Sequence, residues 1–207
     1  MKLKSSELYT VAWITALPIE RAAALALLHE KHSKPCGFVQ QKADSNSYSW
    51  GRIGEHNIVI TSLKAGGKGT ISAATTVSEL LCSLPHIRIG LLVGIGGGIP
   101  KSEHGHPDIR LGDVVVSNPH GTTGGVVQYD FGKAKAEGVW ERTGSLNEPP
   151  AVLLNALDNL KATHLATPPK TFDLLQQMWD ANDGYIREVD NDYTYQGDQQ
   201  QSDKVFS

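Results

Sequence analysis

The chain has two cysteines among 207 residues, and neither belongs to a recognisable ligand set. Cys36 and Cys82 lie far apart and form no C-x-x-C or His/Cys ligand set, so the sequence offers no zinc knuckle or disulfide framework. Each reads as a small buried apolar side chain, with a single disulfide between them left open. Positive charge is also scarce. Nineteen Lys and Arg against 22 Asp and Glu give a formal net charge of −3, and no basic cluster offers the face that a nucleic-acid binder needs. No apolar run approaches the ~20 residues needed to cross a bilayer. The opening residues, Met1 to Ser6, lack the apolar core of a secretory signal. Together these absences imply a reducing, cytoplasmic setting with neither membrane nor nucleic acid as partner.

The remaining composition, 40% hydrophobic and 20% charged, is that of an ordinary globular protein. Tyr9 to Ala16 is β-branched and aromatic and reads as a buried strand. Pro18 suits the first turn of a helix running through Arg21 to Glu30. Ser47–Arg52 and Asn57–Leu63 flank Gly54-Glu55-His56 as a β-hairpin, and a helix follows at about residues 71–82. Ile87 to Val93 is nearly continuous in apolar residues, which predicts a parallel strand covered on both faces. Asp113 to Ser117 (D-V-V-V-S) predicts another short buried strand, and helices are expected at 151–163 and 170–180. Residues 182–207 turn polar and read as a mobile segment. Alternating strands and helices imply one α/β domain over 1–207, with a central mixed, mostly parallel β-sheet flanked by helices in three layers.

Two glycine clusters each follow a predicted strand, where open α/β sheets place ligands and where glycine lets the backbone come close to them. Tight turns are the plainer explanation of either cluster alone. Lys64 to Thr70 fails as a phosphate loop: the first required glycine falls on Ser62, and Gly69 occupies the Ser/Thr position needed for magnesium. Gly94 to Gly98 fails as a dinucleotide fingerprint, because the last glycine of G-x-G-x-x-G would fall on Ile99. Its backbone N–H groups still suit an anion nest. His104 and His106 have ligand-like spacing but no third partner, so a solvated loop is the better account. Asp113 reads as a turn cap, and Asp130 as an isolated acid.

Taken in order, six segments resemble the nucleoside phosphorylase/nucleosidase superfamily. They are Y-T-V-A-W-I-T-A-L-P-I-E (Tyr9–Glu20), G-R-I-G-E-H-N-I-V-I (Gly51–Ile60), V-G-I-G-G-G-I-P (Val93–Pro100), D-I-R-L-G-D-V-V-V-S (Asp108–Ser117), G-G-V-V-Q-Y-D (Gly124–Asp130) and R-T-G-S-L-N-E-P-P (Arg142–Pro150). The resemblance is strongest to the nucleoside phosphorylase-like N-terminal domains of fungal ankyrin-repeat and NLR-type proteins. It implies cleavage of an N-glycosidic bond in a purine nucleoside or adenine nucleotide, without cofactor or metal. It also implies a homo-oligomer and fusion to further domains. Glu20 matches the glutamate that activates the attacking water, although a first-turn acid favoured by the helix dipole would occupy the same place. Gly66, Gly94, Ile95, Gly96 and Gly97 match backbone bordering the anion, ribose and base subsites.

The departures from the family shape the expected function. Leu92 and Ile95 stand where many phosphorylases carry the Arg and Ser that bind phosphate, and apolar side chains cannot replace a guanidinium and a hydroxyl for a dianion. Hydrolysis is therefore expected before phosphorolysis. The family's Met-Glu pair for the ribose hydroxyls is absent, and Asp180-Ala181-Asn182-Asp183 only partly imitates its acidic segment. The family's C-terminal third is thus expected to lie beyond Ser207. The leading expectation is an N-ribosyl hydrolase domain. The alternatives are a noncatalytic nucleoside-sensing or oligomerisation module of a signalling protein and, further off, a phosphate-dependent phosphorylase or a nicotinamide oxidoreductase. Lys64, Lys68, Arg110 and Arg142 are either contacts for a phosphorylated substrate or solvated surface charges.

Overall fold

The structure, a computed structural model, describes residues 1–67, 69–98, 109, 111–135, 138 and 140–182. These form two compact units, one built from Met1–Gly97 with the described chain from Met178 onward, the other from the intervening segment. His104, His106, Arg110 and Lys68 lie outside the described residues, as does all of the 182–207 segment except Asn182. Asn182 donates through its amide to the carbonyls of Ala26 and Met178.

The first unit is a mixed sheet of β1 (Val11–Thr15), β2 (Glu30–His32), β3 (Ser49–Ile53), β4 (His56–Ser62) and β5 (Ile89–Leu92), in the order β2-β3-β4-β1-β5. Two pairings are parallel, β1 with β4 and β1 with β5, and two are antiparallel. Only β3 runs against the other four. β1 carries the alternation of a strand with two covered faces. Val11 and Trp13 pack with Ala24, Leu25 and Leu28 of helix α1 (Pro18–Ala26) or just beyond it. Ala12 packs with Leu80 and Leu84, at the end of helix α2 (Gly69–Ser83). The helices that follow β1 and β4 therefore cover opposite faces, giving the layered α/β arrangement that the alternating elements predict.

Helix α1 begins at Pro18, whose missing N–H costs nothing at the first helical position. The hairpin turns at Gly54 with φ of +55°, a conformation that favours glycine. Gly51, inside β3, fills a different need. A Cβ there would lie 2.6 Å from the Glu30 carbonyl oxygen and from Leu28, so glycine permits the β2–β3 pairing under α1. The short strand β2 was not expected; Glu30 reads as helical in the sequence and is strand in the structure.

β5 corrects one expectation. It is an edge strand with alternating half-buried and exposed residues, and Leu92 is 68% exposed. The second unit corrects another: 113–117 is not a strand, and Val114 to Val116 are exposed. That unit holds a two-stranded ribbon, β6 (Gly132–Ala134) with β7 (Trp140–Arg142), and helix α3 (Ala151–Ala166). Helix α4 (Thr171–Ala181) follows α3 in the chain, as its sequence predicts. Cys36 and Cys82 are both exposed and unpaired, not buried.

Candidate functional site

Neighbouring strands β1 and β4 send the chain to opposite faces of the sheet, which makes their carboxyl ends a topological switch point. Such switch points are where open α/β sheets place ligands. Here the β1–α1 turn, the Lys64–Gly67 turn after β4 and the Val93–Gly97 segment after β5 share one sheet end.

Glu20 organises this end. Leu17, the residue before α1, has no side-chain acceptor for the free N–H groups of the first turn. Glu20 folds back instead, and its Oε2 accepts from the N–H groups of Ala16 at 2.7 Å and Leu17 at 2.8 Å. This is the acidic half of a capping box. The other oxygen, Oε1, accepts from the Ile95 N–H at 2.9 Å. The carboxylate thus joins the ends of β1 and β5 and is only 9% exposed, so it is not the solvated first-turn acid that its position also allowed.

Gly94 completes the clamp. A Cβ on it would lie 2.5 Å from Glu20 Oε1 and 3.0 Å from Cδ. Glycine is required here because the carboxylate lies against its backbone. Gly66 occupies the third position of the Lys64–Gly67 turn with φ of +77°, and Gly67 N–H donates to the Lys64 carbonyl at 2.7 Å. No hydrogen bond joins it to Glu20. A Cβ on Gly96 or Gly97 would meet nothing within 4 Å, so neither is held to glycine by packing. The structure therefore brings Glu20, Gly94 and Ile95 together; Gly66 lies in the turn after β4, and Gly96 and Gly97 follow Ile95 in the chain.

A second polar cluster adjoins this sheet end. Thr15 Oγ1 and Ser62 Oγ, at the ends of β1 and β4, are 2.9 Å apart. Arg21 donates to Ser62 Oγ and the Ser47 carbonyl, each at 3.2 Å, and to Ser49 Oγ at 2.9 Å. It has no carboxylate partner among the described residues, and burial pushes its pKa down. Sequence reasoning passed over Arg21, although it follows Glu20 directly. Lys64, one of the candidate phosphate contacts, pairs with Glu79 at 4.0 Å, and Arg142 donates to the Gly144 carbonyl. Among the described residues no group of three or more His, Cys, Asp or Glu side chains is placed to hold a metal ion, and no helix is long and apolar enough to cross a membrane.

Burial alone would raise the Glu20 pKa, but the N–H bonds from Ile95, Leu17 and Ala16 outweigh it and hold the carboxyl below its ordinary value. A carboxylate held this way is ionised and weakly basic. Because the folded-state pKa lies below the unfolded one, Glu20 stabilises the fold above the ordinary glutamate range, and that stabilisation is lost as pH falls through the folded-state value. The Glu20→Gln variant should be less stable at neutral pH by about 1–3 kcal/mol, since an amide cannot accept at both ends. The gap between wild type and variant should narrow in acid. Urea unfolding across an acid pH series measures this, and a constant gap would remove the clamp from the account.

A nucleotide-binding leucine-rich repeat (NLR)-like protein of Hyaloscypha variabilis is 46% identical over 157 residues. The match covers 76% of this chain but 15% of that protein. No protein-family model matches the chain, and no solved structure matches it.

Proposed function

We propose that the chain is a purine nucleoside- or nucleotide-recognising module of a larger NLR-like protein, with its site at the carboxyl ends of β1, β4 and β5. The observation that carries this reading is the Glu20 clamp. One ionised carboxylate fixes the β1–α1 turn against the Val93–Gly97 segment, and the glycines beside it leave backbone open to a ligand. A carboxylate has about four lone-pair sites. With three in use, one remains to accept from a ligand hydroxyl or a water. Likeness to the NLR-like protein supports the wider setting, and the resemblance of Tyr9–Glu20 and Val93–Pro100 to the nucleosidase superfamily supports the ligand class.

Hydrolysis of the N-glycosidic bond is the second reading, favoured by the same juxtaposition. Glu20, which matches the water-positioning glutamate in the resemblance, stands beside Gly94 and Ile95. Its three N–H bonds weaken it as a base and suit it better to holding a water in place. Leu92 and Ile95, 68% and 73% exposed, offer a phosphate dianion no polar side chain.

Calorimetric titration with adenosine and AMP, followed by assay of the same mixtures for free adenine, tests both readings. Recognition requires saturable binding that Glu20→Gln weakens. Hydrolysis adds free base and free sugar or its original 5′-phosphate, without a need for inorganic phosphate. Ribose 1-phosphate as the main product would overturn the choice of hydrolysis over phosphorolysis, and absence of both binding and cleavage would overturn the proposal.

A further inference from the structure

A cavity of about 410 Å³ lies away from the Glu20 clamp, at the edge where β2 ends and β3 begins. Small-molecule sites commonly run from about 300 to 1,000 Å³. None of its nine lining residues is acidic, and none belongs to the Glu20 clamp or the glycine loops. Lys31 and Lys34 stand on it, both exposed and without a carboxylate partner within 4.0 Å among the described residues. The carboxylates nearest the lining are already engaged: Glu30 lies 3.8 Å from His32 and pairs with Arg52, and Asp44 accepts from the Tyr48 hydroxyl at 2.6 Å. Lys31 and Lys34 are the lining cations left to meet a ligand.

The remaining walls supply aromatic edges and a donor: Phe38 and Trp50 are 7% and 6% exposed, and Tyr48 is half-buried. Phe38, Tyr48 and Trp50 form one aromatic group, with ring centroids 5.0 Å apart for Phe38–Trp50 and 5.8 Å for Tyr48–Trp50. Lys34 Nζ lies 5.3 Å from the Phe38 ring centroid, within cation–π range. Ser49 also lines the cavity, and its Oγ accepts from Arg21. That bond occupies a lone pair and leaves the hydroxyl proton for a ligand acceptor. Arg21 therefore orients Ser49 from behind while the two lysines flank the opening.

We propose that this cavity binds a small organic anion carrying a flat ring, the anion meeting Lys31, Lys34 and the Ser49 hydroxyl and the ring meeting the aromatic wall. This is a second site, independent of the reading proposed for the switch point. Naphthyl phosphate supplies both features; naphthol keeps the ring without the anion, and inorganic phosphate keeps the anion without the ring. In calorimetric titrations of the whole chain, naphthyl phosphate should bind saturably at up to millimolar concentration, and each half-probe should bind at least about tenfold more weakly. Lys31→Glu/Lys34→Glu should lose at least about tenfold in affinity, whereas Lys4→Glu/Lys42→Glu, with the same change in net charge at exposed positions, should not. Amide shifts on titration should centre on Lys31, Ser49 and Trp50. Equal binding of naphthol, unchanged affinity in the Lys31/Lys34 variant, shifts centred elsewhere, or no saturable binding would each overturn the proposal.

Discussion

Gly94→Ala should destabilise the chain by about 1–3 kcal/mol, the usual cost of forcing an extra methyl into a packed place. The same substitution should cost almost nothing once Glu20 is alanine. The three nearest atoms to the added Cβ all belong to Glu20, at 2.5, 3.0 and 3.3 Å. In the wild type that carboxylate cannot swing aside, because three backbone N–H groups hold it. Either the new methyl or the hydrogen bonds must give way. With Glu20 truncated, the methyl enters space the carboxylate has left. A double-mutant cycle on urea unfolding therefore isolates the coupling. Additive effects would show that Gly94 is constrained by something other than the carboxylate, and the clamp would no longer support the proposed site. The cycle also guards the reading of activity data. A loss of binding or cleavage in Glu20→Gln alone could follow from a loosened β1–β5 end, so any chemical role for Glu20 must be judged beside the stability of the same variant.

Much of the first unit was legible because its local signals agree. Val11–Thr15 is β-branched, Pro18 opens the helix that follows, and Gly54 sits at the hairpin turn, where its φ is positive. The glycine after β5 was legible as a place where something approaches the backbone. What approaches is not legible: in the structure it is the chain's own carboxylate, brought from a residue 75 positions away from its Ile95 partner. No local pattern encodes such a meeting. For the same reason Glu20 reads equally well as a solvated first-turn acid and as a site residue. The Lys31–Trp50 cavity has no motif either, since its charged and aromatic residues are spread across a loop and two strands.

The apolar runs were misread in an informative way. Ile87–Val93 and Asp113–Ser117 have the composition of strands buried on both faces, but composition reports what a strand could pack against, not whether a neighbour is present. Among the described residues β5 has a strand neighbour only in β1, and 113–117 is in no strand. Among the described residues every buried side chain lies at or before Leu84.

That distribution makes Trp50→Ala the most damaging single substitution expected here. Trp50 is 6% exposed in β3 and meets Tyr9 at 4.8 Å, Phe38 at 5.0 Å and Tyr48 at 5.8 Å between ring centroids. Tyr9 and Val59, in the same cluster, are wholly buried. Removing the indole leaves a cavity between rigid rings that cannot close over it, at a cost of about 3–5 kcal/mol. Against a total stability of about 5–15 kcal/mol for a domain, that is enough to unfold a substantial fraction of the protein at physiological temperature. Val115→Ala, at a position 73% exposed, should stay within about 0.5 kcal/mol of wild type. Denaturant unfolding of both variants measures the contrast, and amide exchange places it. The slowest amides should lie in β1 and β4, whose backbones pair on both sides, and should lose their protection in Trp50→Ala. If Val115→Ala were instead the costlier change, or the slowest amides lay in α3, the stable core would belong to the second unit, and the switch point at the ends of β1, β4 and β5 would rest on the weaker part of the molecule.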